Sequence, residues 1–212
     1  MIDHVIWDWN GTLLDDVQYG VDLMNALLKS YKKPQLNGIQ EYHRVFTFPV
    51  RDYFAAVGLG GDLFDEAAVR WMDAYMRNEK ICPLRADAVE STAFLREKNV
   101  RQVVISASKL SNLKIQMANR PYFDGFDPPR GLGDIYAGSK VDIALDWMRH
   151  SGAKPENTML IGDTLHDLEV ACAIGCRCIL VEGGHQSGEK LRASGAQVAK
   201  NLREAVRMVM EA

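Results

Sequence analysis

Polar residues that could act together in catalysis stand at three places, each directly after a short apolar run. They are Asp8-Trp9-Asn10-Gly11-Thr12, Ser106-Ala107-Ser108 and Gly162-Asp163-Thr164-Leu165-His166-Asp167. Lys140 stands before the third group. Together they offer carboxylates, a lysine and hydroxyls, a set that suits a hard cation and an oxygen-rich anion.

The elements that must position these groups are predicted from apolar runs and helical spacing. Stretches with helical spacing separate the runs, for example the one opened by Ser139 and the one that stops at Gly175. This alternation predicts an α/β fold with a doubly wound, Rossmann-like parallel sheet. Four runs without polar alternation are typical of its strands: His4-Val5-Ile6-Trp7, Val103-Val104-Ile105, Thr158-Met159-Leu160-Ile161 and Cys178-Ile179-Leu180-Val181.

Residues 15–82 contain no comparable strand run and are predicted to be entirely helical. Asp15 and Asp16 are expected to cap a first helix, which ends near Pro34. A later stripe with helical spacing is interpreted as internal packing: Phe64, Ala68, Trp71, Met72 and Tyr75. The organisation predicted is an α/β core of residues 1–14 and 83–212, with a small all-helical cap, residues 15–82, inserted after the first strand.

Ligands of open parallel sheets bind beyond the carboxyl ends of the strands, so the three polar groups are expected to converge there. The carboxylates of Asp8, Asp163 and Asp167 would repel one another unless a cation lay between them. Magnesium prefers such oxygen ligands, and Lys140 with the nearby hydroxyls suits phosphate. The residues therefore predict Mg²⁺ as the cofactor and a phosphorylated substrate.

The ordered groups resemble the four motifs of the haloacid dehalogenase superfamily of phosphatases, and the resemblance covers nearly the whole chain. Residues 8–15 resemble the first motif, Ser106 the second, Lys140 the third, and Gly162-Asp163 with Asp167 the fourth. The helical insertion is similar to the small cap of phosphoglycolate phosphatase and β-phosphoglucomutase relatives.

This resemblance implies a role for each matching residue. Asp8 would be the nucleophile that forms an aspartyl-phosphate intermediate from a small phosphorylated metabolite. Lys140 and Ser106 would hold the phosphoryl oxygens, assisted by Thr12 and by backbone N–H groups near Trp9 and Ala107. The implied magnesium ligands are Asp8, the backbone carbonyl of Asn10 and Asp163. Asp167 would either bind the metal directly or contact the groups that bind it.

Asn10 departs from the family pattern, in which a second aspartate usually acts as general acid and base. An amide can orient a leaving group but cannot protonate it at neutral pH. Three explanations stay open. In the first, the substrate has a good leaving group, such as that of an acyl phosphate, an aryl phosphate or a phosphoanhydride. In the second, another residue supplies the proton, and His166 is the nearest in sequence. In the third, the chain binds phosphorylated ligands or transfers phosphate slowly.

Other functions compete with hydrolysis of a phosphate ester or anhydride. Dehalogenation is disfavoured because it dispenses with magnesium, whereas the acidic fourth motif is retained. A phosphotransferase and a non-enzymatic, regulatory protein that binds phosphate ligands are the alternatives. The latter predicts no metal-dependent phosphate release from any substrate.

Substrate specificity is expected to come from the cap. Arg51, in an aromatic segment, is the candidate for contacting a carboxylate or second phosphate on the substrate, and His43 and Arg44 are weaker candidates. Nothing in the sequence names the substrate.

Composition limits the partners and the location. The net charge of −3 does not favour a nucleic-acid partner. No apolar run approaches the roughly 18–20 residues of a membrane span, and no basic leader opens the chain, so we expect a cytoplasmic protein with no membrane partner. The four cysteines lack the spacing of a zinc site. A monomer is expected, with a dimer as the alternative.

Overall fold

The four apolar runs form parallel strands at the centre of a six-stranded sheet, as described by a computed structural model of all 212 residues. The strand order is β3-β2-β1-β4-β5-β6, and every pair is parallel. The predicted doubly wound α/β fold is confirmed. The strands are β1 His4–Trp7, β2 Arg101–Lys109, β3 Asp127–Leu132, β4 Thr158–Gly162, β5 Arg177–Val181 and β6 Gln197–Ala199.

Two of these strands were not predicted from the sequence, and both lie at edges of the sheet. β3 has the sequence Asp-Pro-Pro-Arg-Gly-Leu and pairs with β2 through an irregular register. Proline cannot donate to a strand ladder, so it is tolerated at an edge and hides the strand from pattern-based prediction. β6 is only three residues long.

Helices cover both faces of the sheet. Because side chains alternate along a strand, Val5 and Trp7 of β1 join one hydrophobic cluster and Ile6 joins another on the opposite face. No helix is long and apolar enough to cross a membrane. The core helices are α5 Ala88–Glu97, α6 Leu110–Ala118, α7 Val141–Ser151, α8 Leu165–Ile174, α9 Gly188–Ala193 and α10 Leu202–Glu211.

The segment between β1 and α5 is helical, as predicted, and has a hydrophobic cluster of its own. Its helices are α1 Val17–Ser30, α2 Gly38–Val45, α3 Val50–Ala56 and α4 Phe64–Arg77. The chain leaves and re-enters the core at adjacent points, where the N–H of Asp15 donates to the carbonyl of Pro83. We call residues 15–82 the cap; this boundary stays a prediction.

Candidate active site

The carboxylates of the site lie where the strand order reverses, between β1 and β4. Asp8 directly follows β1, and Asp163 directly follows β4. Asp167 lies in the first turn of α8. All three side chains are buried, and one oxygen from each lies within 4.8 Å of those of the other two. The structure thus brings together the predicted carboxylates in the crevice typical of ligand sites in open α/β sheets.

Lys140 lies directly before α7 and contacts two of the three carboxylates. Its Nζ lies 2.5 Å from Asp8 Oδ1 and 2.7 Å from Asp167 Oδ1, and donates to the carbonyl of Ile105 at 3.2 Å. The side chain is only 2% exposed. A lysine buried in this way must be paired, and its two partners fix the ammonium beside the oxygen of Asp8.

The site carries more negative than positive charge. Burial, together with the charges of Asp167 and Asp163, raises the pKa of Asp8 to about 8, against the opposing effect of Lys140. Burial also raises the pKa of Asp163. For Asp167, burial is outweighed by Lys140 and by hydrogen bonds from Thr164, so its pKa is lowered. Without a further cation, burial and the neighbouring carboxylates favour the protonated form of Asp8, against the opposing effect of Lys140.

The residues present fit a hard divalent cation. The donor set is purely oxygen, and Asp167 Oδ1 has no hydrogen-bond donor of suitable geometry although Lys140 Nζ is 2.7 Å away. Glycines leave room for the carboxylates: a Cβ on Gly184 would lie 2.2 Å from Asp163 Oδ2, and one on Gly162 would lie 2.1 Å from Asp167 Cγ. Such contacts exclude any larger residue at these two positions.

The predicted phosphate-binding residues occupy different places. Ser106 and Ala107, at the carboxyl end of β2, line the cavity beside Asp8. Thr12 does not line it: its fully buried hydroxyl donates to Asp163 Oδ1 at 2.8 Å. Thr12 therefore orients a carboxylate, while its role in phosphate binding stays a prediction.

Asn10 lies in a hydrogen-bond network that the sequence did not reveal. Its Nδ2 donates to Asp16 Oδ2 at 2.7 Å and to the hydroxyl of Tyr75 at 3.0 Å, and its Oδ1 accepts from Ser108 Oγ at 2.7 Å. This network fixes the amide between the cap and the core.

The prediction that Asp16 caps α1 with its side chain was wrong. Asp16 is the residue before the helix, but its side chain makes no capping bond. Instead it turns towards the site and accepts from the backbone N–H of Gly11, from Asn10 and from Tyr75. These buried donors satisfy a carboxylate better than the exposed end of a helix would, because each bond is made away from water.

His185 is a second residue of the site that the sequence analysis missed. Its backbone N–H donates to Asp163 Oδ2 at 2.6 Å, its Nε2 lies 3.4 Å from Asp16 Oδ1, and its Nδ1 is 2.6 Å from the hydroxyl of Tyr42. Burial opposes protonation, yet Asp16 and the other carboxylates raise the pKa of His185 to about 9. Extending the strand-end rule to the fourth apolar run, which ends at Val181, would have reached it.

The remaining candidates are placed as follows. His166 Nε2 accepts from the backbone N–H of Lys140 at 3.3 Å, so this nitrogen is occupied in positioning Lys140. Arg51 is exposed, stacks on the Phe64 ring at 4.0 Å and does not line the cavity. His43 contacts the carbonyl of Gly184 at 3.0 Å, which joins the cap to the core, and Arg44 is exposed.

A cavity of about 140 Å³ lies between the cap and the carboxyl edge of the sheet. The stripe on α4, interpreted from sequence as internal packing alone, also forms part of its wall. Phe64 and Ala68 belong to the hydrophobic cluster of the cap and Trp71 packs against it, and all three line the cavity as well. The same apolar face of α4 therefore packs inside the cap and borders the cavity that Asp8 also lines.

Comparisons with known proteins show what this chain is similar to. The chain is 24% identical to phosphoglycolate phosphatase 1 of Pseudomonas aeruginosa over 94% of this chain and 77% of that protein. It is 27% identical to tyrosine-protein kinase PtkA of Mycobacterium tuberculosis over 85% of this chain and 62% of that protein. The crystal structure of a predicted phosphatase from Clostridium acetobutylicum shares its fold, with a TM-score of 0.85, 19% identity and full coverage of both chains.

A family model described as haloacid dehalogenase-like hydrolase matches residues 2–175. This range includes the cap, the three strand-end groups and Lys140. The match confirms the family predicted from the ordered motifs. The chain belongs to the haloacid dehalogenase-like hydrolases.

Proposed function

We propose that the chain is a magnesium-dependent phosphohydrolase that cleaves a small phosphorylated metabolite through an aspartyl-phosphate intermediate on Asp8. The observation that carries the proposal is the contact between Asp8 and Lys140 Nζ at 2.5 Å, in the wall of a cavity also lined by Ser106 and Ala107. The names of the phosphatase relatives support the same reaction class.

Lys140 can serve both partners of the reaction. Its ammonium favours the ionised form of Asp8 and would attract an incoming phosphoryl oxygen. The Asp8 carboxylate would then attack phosphorus, and water would later cleave the acyl phosphate and regenerate Asp8. Mg²⁺, held by Asp8, Asp163, Asp167 and the Asn10 carbonyl, would neutralise charge on the phosphoryl group.

The network around Asn10 supports a reaction without a strong general acid at this position. Both amide groups of Asn10 are occupied by Asp16, Tyr75 and Ser108, so the side chain is held still beside the cavity. Because both N–H groups of the amide are engaged, it has no donor left for a leaving oxygen, and it has no proton to give up at neutral pH. Substrates whose leaving group is stable as an anion are therefore favoured.

The test is phosphate release from a panel of aryl, acyl and sugar phosphates and pyrophosphate, with Mg²⁺ and with EDTA. Asp8→Asn should abolish release, while the matched control Asp15→Asn, at an exposed position two residues before the cap helix α1, should not. Mass spectrometry of rapidly quenched enzyme should show a phosphate adduct on Asp8. Release that survives Asp8→Asn, or is unaffected by EDTA, would contradict the proposal. Transfer to an added alcohol in preference to water would identify a phosphotransferase.

A further inference from the structure

The wall of the cavity offers no free cation for a second anionic group. No arginine lines it, and Lys140 is its only lysine, already held between Asp8 and Asp167. The imidazole of His185 lies against Asp16, and its backbone N–H binds Asp163. A carboxylate or phosphate on the leaving group would therefore be buried without a counter-charge, which is strongly unfavourable.

The part of the wall that the cap supplies is rich in aromatic side chains. Phe46, Phe48, Phe54, Phe64 and Trp71 line it, all from the cap. Aromatic rings favour stacked or edge-to-face contacts with another ring, so this wall suits a flat aromatic group.

Two donors in this wall lack a partner. The hydroxyl of Tyr53 and the indole nitrogen of Trp71 are buried without a hydrogen bond, and both side chains line the cavity. Buried polar atoms nearly always have a partner, but these two have almost no surface open to the cavity, so an acceptor on a ligand would reach them only after the two side chains shift. A ring carrying a carbonyl, nitro or ether oxygen would supply that acceptor without adding charge.

We propose that the substrate is an aryl phosphate monoester whose leaving group is an uncharged aromatic ring bearing a hydrogen-bond acceptor. The inference rests on the proposed phosphohydrolase function and narrows its substrate class. Asp8 attacks phosphorus, the phosphorus–oxygen bond to the ring breaks, and both electrons leave with the phenolate oxygen, which takes a proton from solvent. Water then cleaves the acyl phosphate to give inorganic phosphate and free Asp8. A phenolate departs without the general acid that Asn10 cannot provide.

The decisive comparison uses two stable ligands with the same phosphonate group. Phenylphosphonate ends in an aromatic ring, and phosphonoacetate ends in a carboxylate. Calorimetry with Mg²⁺ on the wild-type protein should give an affinity about 100-fold higher for phenylphosphonate, because the carboxylate would have no counter-charge. Equal affinities, or tighter binding of phosphonoacetate, would overturn the aryl assignment. Neither ligand is turned over, so this result does not depend on catalysis.

A pair of substitutions on α4 tests the cause. Met72→Lys places a cation in the cavity wall and should reduce the preference for phenylphosphonate about tenfold; Val69→Lys, at an exposed position on the same helix, should leave it unchanged. An equal effect of the two variants would overturn the argument from the uncharged wall.

Turnover separates the two proposals. Magnesium-dependent release with higher kcat/KM for 4-acetylphenyl phosphate than for phosphoglycolate supports both. Faster release from phosphoglycolate, with tight binding of phosphonoacetate, overturns the aryl assignment and leaves the hydrolase standing. Selective binding of phenylphosphonate with no release from any phosphate overturns the hydrolase and leaves the binding preference standing.

Discussion

Replacing Asn10 by aspartate is expected to destabilise the protein, although aspartate is the usual residue of the family at this position. The amide donates to Asp16 Oδ2 at 2.7 Å. The substitution removes this donor and places a second carboxylate beside a buried one that Tyr75 and the N–H of Gly11 already bind.

The magnitude follows from these contacts. Loss of a buried hydrogen bond to a charged group costs about 1.5–3 kcal/mol. Repulsion between the two carboxylates raises the pKa of the introduced group above its unfolded value of about 3.9. A group whose folded pKa is raised in this way costs more stability as the pH rises. We expect a total loss of about 3–5 kcal/mol at pH 8 and a loss smaller by about 2 kcal/mol at pH 5.

Urea unfolding in EDTA at pH 5 and pH 8, followed by tryptophan fluorescence, measures this loss. Asn25→Asp is the matched control, because the Asn25 amide donates to the carbonyl of Leu36 and not to a carboxylate. Its loss should be smaller and should depend less on pH. Adding Asp16→Asn to Asn10→Asp should recover part of the stability, since one carboxylate and one amide again face each other. Identical losses for Asn10→Asp and Asn25→Asp at both pH values would refute the reasoning.

Four further outcomes are expected. Because the pKa of Asp8 is raised to about 8, Mg²⁺ binding should release close to one proton at pH 7, and below pH 7.5 the affinity for Mg²⁺ should rise roughly tenfold for each unit by which the pH is raised. Calorimetry in buffers of different ionisation enthalpy checks this, and an affinity that does not depend on pH would contradict it. In EDTA, the raised pKa of His185 contributes about 3 kcal/mol of stability, which is fully present below pH 6.5 and is lost as the pH rises to 9. The unfolding free energy of His185→Gln should lack this pH dependence, and a pH profile equal to that of the wild type would contradict the contribution of His185. Lys140→Met should cost about 3–5 kcal/mol of unfolding free energy by urea titration, whereas Lys154→Met, at an exposed position, should cost little; similar losses in the two variants would argue against the buried ion pairs. Asn10→Asp should raise kcat/KM for sugar phosphates relative to 4-nitrophenyl phosphate about tenfold or more, because a positioned carboxyl can protonate an alkoxide; an unchanged ratio would show that leaving-group protonation does not limit the rate.

Helix α4 of the cap shows which features a local sequence pattern predicts and which depend on tertiary contacts. Helical spacing correctly predicted that α4 has an apolar face, because that face follows from the period of the helix alone. The same pattern did not show that the face also lines the cavity. A stripe of Phe64, Trp71 and Tyr75 looks the same in sequence whether it packs inward or borders a ligand site, and only the folded chain shows that it lines the same cavity as Asp8 and Asp163.

Asp16 and His185 were missed for a related reason. Asp16 stands directly before a helix, where aspartate usually caps, and nothing local shows that Asn10 and Tyr75 compete for its carboxylate. His185 is 22 residues from Asp163 in sequence, yet its backbone N–H lies 2.6 Å from that carboxylate. Contacts of this kind depend on how loops from separate strands meet, which no periodicity records.

The amino-acid sequence by itself determined the α/β class, the helical insertion after the first strand and the order of Asp8, Ser106, Lys140 and Asp163 at strand and helix ends. These features follow from side-chain period and from the rule that parallel strands present their carboxyl ends at one edge. Only the tertiary structure decided that Lys140 lies between Asp8 and Asp167, that Thr12 binds Asp163, and that the cavity lacks a free cation. The physical reason is that hydrogen bonds and charge pairing act over a few ångströms in space, between residues that the fold brings together from across the chain.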